Sequence, residues 1–336
     1  MSLLESISHP IVLAPLAGGP STPELTAAVA EAGGFAFLAA GYLSADTMRD
    51  RIAQTRSLTA RPFGVNVFVP GRPSDPDVIA TYAERLAPEA EALGVALGEP
   101  RFDDDDWDAK IDALADDPPA VVSFTFGCPS DAAVRRLHRA GAEVWVTVTT
   151  PDEAMAAQAA GADGLAVQGA EAGGHRGTWR DDDPLIRGIG LLALVQLVRA
   201  RTDLPLVAAG GIATSDGVDA VLAAGAAAAA VGAAFLLCPE AGTAEVHRAA
   251  LRGDAPTALT RAFTGRMARG IRNRLLDELS DVAPSAYPEI NNLTSPLRQA
   301  ARRQGEPDVV NLWAGEAYPL TRAEPAAAVV ARLTNR

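Results

Sequence analysis

The stretch "LPLVAAGGIATSDGVDAVLAAGAAAAAVGAAFL", Leu204–Leu236, contains one complete structural unit. It opens on "LPLVAAGG" (Leu204–Gly211), a short apolar run that reads as a strand buried on both faces, as parallel strands are. A helical segment follows and stops at Ala224-Gly225. Glycine is favoured there because the residue after a helix often takes positive φ. A second strand runs through "AAAAVGAAFL" (Ala227–Leu236). Gly217–Pro239 is also the longest apolar segment. Asp219, Gly225 and Gly232 interrupt it, so helix–turn–strand suits it better than a membrane span.

The same unit recurs outward from here. Ala-Gly pairs followed by short strands stand at Ala32-Gly33, Ala140-Gly141 and Ala160-Gly161. Strand character appears in Pro10–Gly18, Phe35–Gly41, Pro62–Pro70, Val121–Gly127, Glu143–Thr150 and Gly164–Gly169. Helices begin after Thr22-Pro23 and Ser44, good capping residues. Repeated βα units with right-handed crossovers point to a closed (β/α)8 TIM barrel or a doubly wound sheet. Eight strands favour the barrel. Residues 1–240 are expected to form its core, with a polar insertion at 71–120. Residues 241–336 are expected to supply a helical extension over the barrel mouth and to complete the barrel. The run "DDDDWD" (Asp103–Asp108) inside the insertion reads as a solvated helix start or loop, since no histidine or glutamate stands at ligand spacing.

Charge narrows the partners. Basic residues number 29 against 42 acidic, a net charge of −13. Nucleic acid and anionic membranes are disfavoured, because both need lysine and arginine. Lys110 is the single lysine, so an anion site must use arginine, hydroxyls or backbone N–H groups. Cys128 and Cys238 match no metal pattern and read as reduced core residues. "MSLLESISHP" lacks the features of a secretory signal, and a cytoplasmic monomer or homodimer is expected.

Barrel chemistry sits at the C-terminal ends of strands. Asn66, inside "FGVNVF", is an amide in an apolar strand. It either bonds a neighbouring loop or reads a heterocycle. Gln168, ending "GLAVQG", poses the same choice. Gly210-Gly211 and Gly232, at the seventh and eighth strands, suit a phosphate; the plain alternative is a tight turn. "QGAEAGGHRG" (Gln168–Gly177) carries His175 behind Gly173 and Gly174. Those glycines would let the chain fold closely over a flat ligand. His175 itself reads as a surface residue, a metal ligand or a base, and no metal partners accompany it. Glu171 reads as a salt-bridge partner or helix cap, and Arg176 as an anion clamp or an exposed charge. His9, His138 and His247 look incidental.

"APLAGG" (Ala14–Gly19), "RPFGVNVF" (Arg61–Phe68), "VVSFTFGCP" (Val121–Pro129), "QGAEAGGHRG", "AAGGIA" (Ala208–Ala213) and "TGRMARGIRN" (Thr264–Asn273) occur in this order. In them the chain resembles the nitronate monooxygenases, formerly 2-nitropropane dioxygenases, of the bacterial class I branch. The resemblance implies an FMN-containing (β/α)8 barrel. Ala14, Pro15 and Leu16 would line the isoalloxazine, and Asn66 and Gln168 would bond it. Gly173 and Gly174 would approach it, and Gly210, Gly211, Val231, Gly232 and Ala233 would hold the phosphate. His175 would take the α-proton of a nitroalkane or, as a cation or donor, orient a nitronate. The implied reaction converts alkyl nitronates such as propionate-3-nitronate, with O2, to a carbonyl compound and nitrite. Alternatives are an FMN-dependent enoyl-acyl-carrier-protein reductase and a non-catalytic flavin-binding protein. The sequence departs from the family's frequent residues at Leu16, at Thr125 in place of a histidine, and at Ala230 and Ala233.

Overall fold

The structure, a computed structural model, describes residues 3–5, 7–181 and 188–335. Eleven strands occur among them: β1 (Ile11–Leu13), β2 (Phe35–Ala39), β3 (Gly64–Phe68), β4 (Val121–Thr125), β5 (Glu143–Val148), β6 (Gly164–Gln168), β7 (Gly174–His175), β8 (Leu206–Ala209), β9 (Ala228–Val231), β10 (Thr257–Thr260) and β11 (Ala268–Ile271). Eight close into a barrel in the order β1-β2-β3-β4-β5-β6-β8-β9. Every pairing in it is parallel, and Val12 opposite Ala230 seals β1 onto β9. The expected (β/α)8 barrel is therefore the fold.

Strand alternation divides the barrel side chains between two cores. Outward residues such as Ile11, Leu13, Val65 and Val146 pack against the surrounding helices. Inward residues fill the barrel itself, where Trp145 lies 5.8 Å from Phe35 and 5.6 Å from Phe37, ring to ring. These large rings plug the lower barrel. Above them the strand ends carry Ala, Gly, Asn and Gln, and a cavity opens.

The stretch 71–120 is not one insertion. Trp107–Asp116 is a helix whose Ile111, Ala113 and Leu114 join the barrel's outer core. Pro76–Ala92 is a second helix, and its Ile79, Tyr82, Leu86 and Ala90 belong to a separate core. That core also takes Leu275, Ile290, Leu293, Leu297 and Tyr318 from the C-terminal part. The helix Ala326–Thr334 returns to the barrel and packs against helices Pro23–Glu31 and Ser215–Ala223.

A three-stranded antiparallel sheet, β10-β11-β7, stands beside the barrel, and its edge strand β7 lines the cavity. Sequence patterning misses it. Its strands are two to four residues long, too short for alternation to register.

Candidate active site

The C-terminal strand ends open into a cavity of about 830 Å³. Ala14, Pro15, Leu16, Asn66, Gln168, Gly173, Gly174, His175, Gly210, Gly211, Gly232 and Ala233 all line it. Val231 is the correction to the sequence reading. It follows inward-facing Ala230, so its side chain points the other way and is fully buried in the outer core. Its carbonyl accepts from Ala14 N–H at 3.0 Å.

One side of the cavity is main chain. Gly210 and Gly211 follow β8 with φ of 130° and 67°. Their N–H groups, and those of Gly232 and Ala233 after β9, donate to no carbonyl among the described residues. None of the four residues is buried, so their unpaired amides are open to the cavity, and four of them along one wall suit an anion. The helix after β8 does not contribute. It starts at Ser215, and Thr214 Oγ1 caps it by accepting from Gly217 N–H at 3.2 Å. Ala14 and Leu16 pack beside Gly232, where a side chain would begin 3.8 and 3.4 Å from them. The result is a shallow apolar slot next to the amides, which fits a flat ring bearing a phosphate.

Asn66, on β3, is buried. Its Nδ2 lies 3.2 Å from the Ser123 carbonyl, 2.9 Å from Ser123 Oγ and 3.0 Å from Thr125 Oγ1. A carbonyl only accepts, which fixes the amide orientation and leaves Oδ1 as the free acceptor. Thr125, where the family often has histidine, thus helps to hold Asn66, and Thr147 Oγ1 backs it at 3.2 Å. Gln168 is engaged with its own loop. Nε2 donates to the His175 carbonyl (3.0 Å) and Oε1 accepts from Gly177 N–H (2.7 Å).

Of the two glycines before His175, Gly174 takes a φ of 72° with open space around it, and Gly173 serves the protein's own packing. A side chain at Gly173 would begin 2.3 Å from Gly315 N and 2.4 Å from the Ala314 carbonyl carbon. The close approach at Gly173 is to the 314–315 loop. Glu171 accepts from Leu191 N–H with both carboxylate oxygens at 3.1 Å and caps the helix Leu191–Arg199. Arg176 is buried, and its guanidinium donates to the Gly169 and Gln168 carbonyls. It is a brace, and neither an anion clamp nor an exposed charge.

His175 is on a strand. Ala268 of β11 pairs with it, which fixes its backbone. Its Nε2 lies 2.9 Å from Thr264 Oγ1, and that hydroxyl is 3.2 Å from the Arg266 carbonyl. Nothing else among the described residues donates to this carbonyl. Thr264 has one hydroxyl hydrogen. Giving it to the carbonyl makes Nε2 the N–H donor and leaves the lone pair on Nδ1, a tautomer assigned from the network. Burial, reinforced by the charges of Arg266 and Arg298, pushes the imidazole down to about 3. The imidazole is neutral at pH 7. Burial and the two guanidinium groups favour the neutral ring over the imidazolium, which leaves an N–H donor on Nε2 and a lone pair on Nδ1.

Rings surround this histidine. Phe126, Tyr287 and Trp313 stand 5.6, 5.8 and 5.6 Å away, centroid to centroid. Phe126 has a strained φ of 77°, and the Arg266 guanidinium lies 3.9 Å from its ring centroid. Tyr42, also at positive φ and exposed at the rim, shares a side-chain hydrogen bond with Tyr287. The Tyr42 N–H donates to Asp105 Oδ1 at 2.8 Å, while Asp105 Oδ2 lies 2.7 Å from the buried Lys110 Nζ. Part of the aspartate run is thus a buried ion pair supporting the cavity rim. Burial pushes Asp105 up to about 6. His247, dismissed on sequence, also lines the cavity, with Nε2 3.0 Å from the Trp313 carbonyl. Cys238 is buried and Cys128 partly exposed.

The family model described as Nitronate monooxygenase matches residues 1–336. The chain belongs to the nitronate monooxygenase family. It is 40% identical to a nitronate monooxygenase of Pseudomonas aeruginosa, over 99% of this chain and 97% of that one. A probable nitronate monooxygenase of Staphylococcus aureus is 35% identical, over 98% of this chain and 95% of that one. Among solved structures, nitroalkane oxidase from Streptomyces ansochromogenes superposes with a TM-score of 0.97 at 50% identity, covering 99% of this chain and 96% of that one. FabK from Thermotoga maritima shares the fold, with a TM-score of 0.76 at 24% identity over 98% and 93% of the two chains. The nitronate monooxygenase family is one of flavin-dependent oxidoreductases, and the slot and open amides described above fit such a cofactor. Among the described residues, no helix is long and apolar enough to cross a membrane.

Four residues of this site escaped the sequence reading: Thr264, Tyr287, Trp313 and Phe126. Thr264 and Phe126 lie inside segments that carry the family resemblance, which was the only signal available for them.

Proposed function

We propose that the enzyme binds FMN in this cavity and oxidises alkyl nitronates with O2 to a carbonyl compound and nitrite. The observation that carries the reading is one cavity with two facing walls. One holds a slot and four free amides; the other presents a neutral imidazole with a free Nδ1. The amides of Gly210, Gly211, Gly232 and Ala233 would hold the phosphate, and Ala14 to Leu16 would bound the ring. Asn66 Oδ1 would accept from a ring N–H. When bound, FMN supplies the redox chemistry.

The chain's own residues do the rest. Nδ1 of His175 takes the α-proton of a neutral nitroalkane, while Thr264 holds Nε2–H in place. Gln168 fixes the backbone at the histidine carbonyl and at Gly177 just after it. Phe126, Tyr287 and Trp313 exclude water, so the proton is exchanged in a low-dielectric pocket. A substrate that arrives as the nitronate needs no such step. The test is nitrite release on adding propionate-3-nitronate to FMN-replete protein; absence of nitrite overturns the proposal. Oxidation of NADH with a crotonyl thioester would point instead to the enoyl reductase alternative.

A further inference from the structure

Four of the rings that line the cavity form a closed circuit. Tyr42 lies 5.5 Å from Phe68, Phe68 4.5 Å from Phe126, and Phe126 5.5 Å from Tyr287, centroid to centroid. The Tyr287 and Tyr42 phenols close it with their hydrogen bond. The circuit has an inner and an outer end. Phe126 and Tyr287 stand 5.6 and 5.8 Å from the His175 ring, whereas Tyr42 is exposed at the rim. The two tyrosines also come from different parts of the chain. Tyr42 follows β2 of the barrel, and Tyr287 belongs to the C-terminal part.

The backbone under Tyr42 is held in an unfavourable conformation. Tyr42, Asp105 and Asp106 take φ of 68°, 59° and 55°, the left-handed region that residues other than glycine seldom occupy. Asp105 Oδ1 accepts from Tyr42 N–H at 2.8 Å, and Asp106 Oδ2 accepts from Ala45 N–H at 3.1 Å. Asp106 stands at the N-cap of the helix Trp107–Asp116, yet its side chain makes no capping bond there. Lys110, one turn into that helix, is buried. Its Nζ meets Asp105 Oδ2 at 2.7 Å and donates to the Ala40 carbonyl at 3.0 Å. Lysine and aspartate thus grip the chain on both sides of Gly41, where a side chain would begin 2.2 Å from the Phe68 ring. A buried ion pair adds little stability, since apolar residues of like volume serve as well or better. What it can do is fix one conformation. The conformation fixed here is that of Tyr42.

We propose that Tyr42 is the outer stop of the substrate chamber, limiting the tail that can accompany a reacting carbon at His175, and that Lys110 and Asp105 are positioning residues that hold it there. That the tail belongs to a nitroalkane or nitronate rests on the function proposed above; the stop rests on the ring circuit. With the head at Nδ1 of His175, a tail directed to the rim meets Tyr287 first and Tyr42 next. A short chain ends inside the circuit. A longer one must displace the exposed Tyr42 ring and break its bond to Tyr287, or stay out. Tyr42 meets the far end of the substrate and no reacting atom, so its effect falls on KM more than on kcat.

The test compares nitroethane with 1-nitrohexane on the FMN-replete protein. Tyr42→Ala should raise the ratio of kcat/KM for the longer substrate over the shorter about 10- to 100-fold, mainly through KM. Tyr42→Phe keeps the ring and should recover most of the wild-type ratio. An unchanged ratio in Tyr42→Ala overturns the stop. Lys110→Met combined with Asp105→Gly removes both charges together and tolerates the left-handed backbone. It should move the ratio in the same direction as Tyr42→Ala. A purely structural pair predicts the wild-type ratio, and that result overturns the positioning role. If the double variant does not fold, hydrogen exchange in the wild-type protein decides. Slow exchange of the Tyr42 N–H supports the grip, and exchange at the rate of an open loop overturns it. Chemical modification reads the stop without turnover. Diethyl pyrocarbonate acylates a neutral imidazole, and Tyr42→Ala should speed its reaction with His175 about three- to tenfold, the worth of one hydrogen bond. His138, on a helix outside the barrel, should react as before. Faster acylation of His175 without nitrite release leaves the stop standing and removes the function. Nitrite release with unchanged acylation and an unchanged length ratio does the reverse.

Discussion

The cavity has two walls built on opposite principles. The wall at β8 and β9 offers backbone: Gly210, Gly211, Gly232 and Ala233 present amides and almost no side chain. The facing wall offers side chains: His175, Thr264, Tyr287, Arg298 and Trp313. The first wall can grip an anion but cannot move a proton. The second carries the groups that could move a proton. A substitution on the first wall should therefore act through added bulk, and one on the second through lost chemistry.

The largest expected effect is on the side-chain wall. His175→Asn should reduce turnover of a neutral nitroalkane about 10²- to 10⁴-fold, the usual worth of a positioned base. Nitronate turnover should fall far less, and bound flavin should not change. Equal losses on both substrates would remove the base role. The backbone wall gives the next largest effect. Gly210 has φ of 130°, and a side chain there would begin 3.1 Å from Ala172 N. Gly210→Val should weaken FMN about tenfold or more in a fluorescence titration; unchanged affinity would show that the phosphate lies elsewhere. Thr264→Val removes the acceptor for Nε2–H, so both imidazole tautomers become populated. A loss of about three- to tenfold in kcat/KM for nitroalkanes is expected, recovered by Thr264→Ser. Were FMN binding to fall instead, the division between the walls would fail.

The smallest effect is an expected constancy. The active form of His175 is the neutral one, and its pKa is pushed down from 6.5 to about 3. A lowered pKa moves the acid limb of activity to lower pH. The kcat/KM profile for a neutral nitroalkane should run flat from pH 8 through 6.5 to about 5. A limb near 6.5 would mean that burial and the two arginines do not act on the ring as described.

The same contrast governs what the sequence reveals. The barrel was legible because each βα unit carries its own signals: an apolar run, a capped helix, an Ala-Gly stop. The backbone wall was legible for the same reason, since glycines at strand ends are local features. The resemblance put Val231 among the phosphate residues, but alternation sends its side chain to the outer core and leaves only its backbone for that role. The side-chain wall depends on pairings distant in sequence, such as His175 with Ala268 and Arg298 with Asn311. No local pattern announces these. The composition of "EAGGH" suggested a chain moulded to a ligand, whereas Gly173 is moulded to Ala314 and Gly315.

The pairing of β7 with β11 also has a consequence for the order of assembly. A chain synthesised from its N-terminus completes the amide cradle by Ala233, while Thr264, Tyr287 and Arg298 are still to come. Contacts between distant segments form slowly because the loop between them must first close. The cofactor pocket can thus take shape on the ribosome with His175 still unanchored, and the proton-handling ring locks only when the last third of the chain docks. Rapid-quench hydrogen exchange during refolding should see the β8 and β9 amides protected before those of β7 and β11.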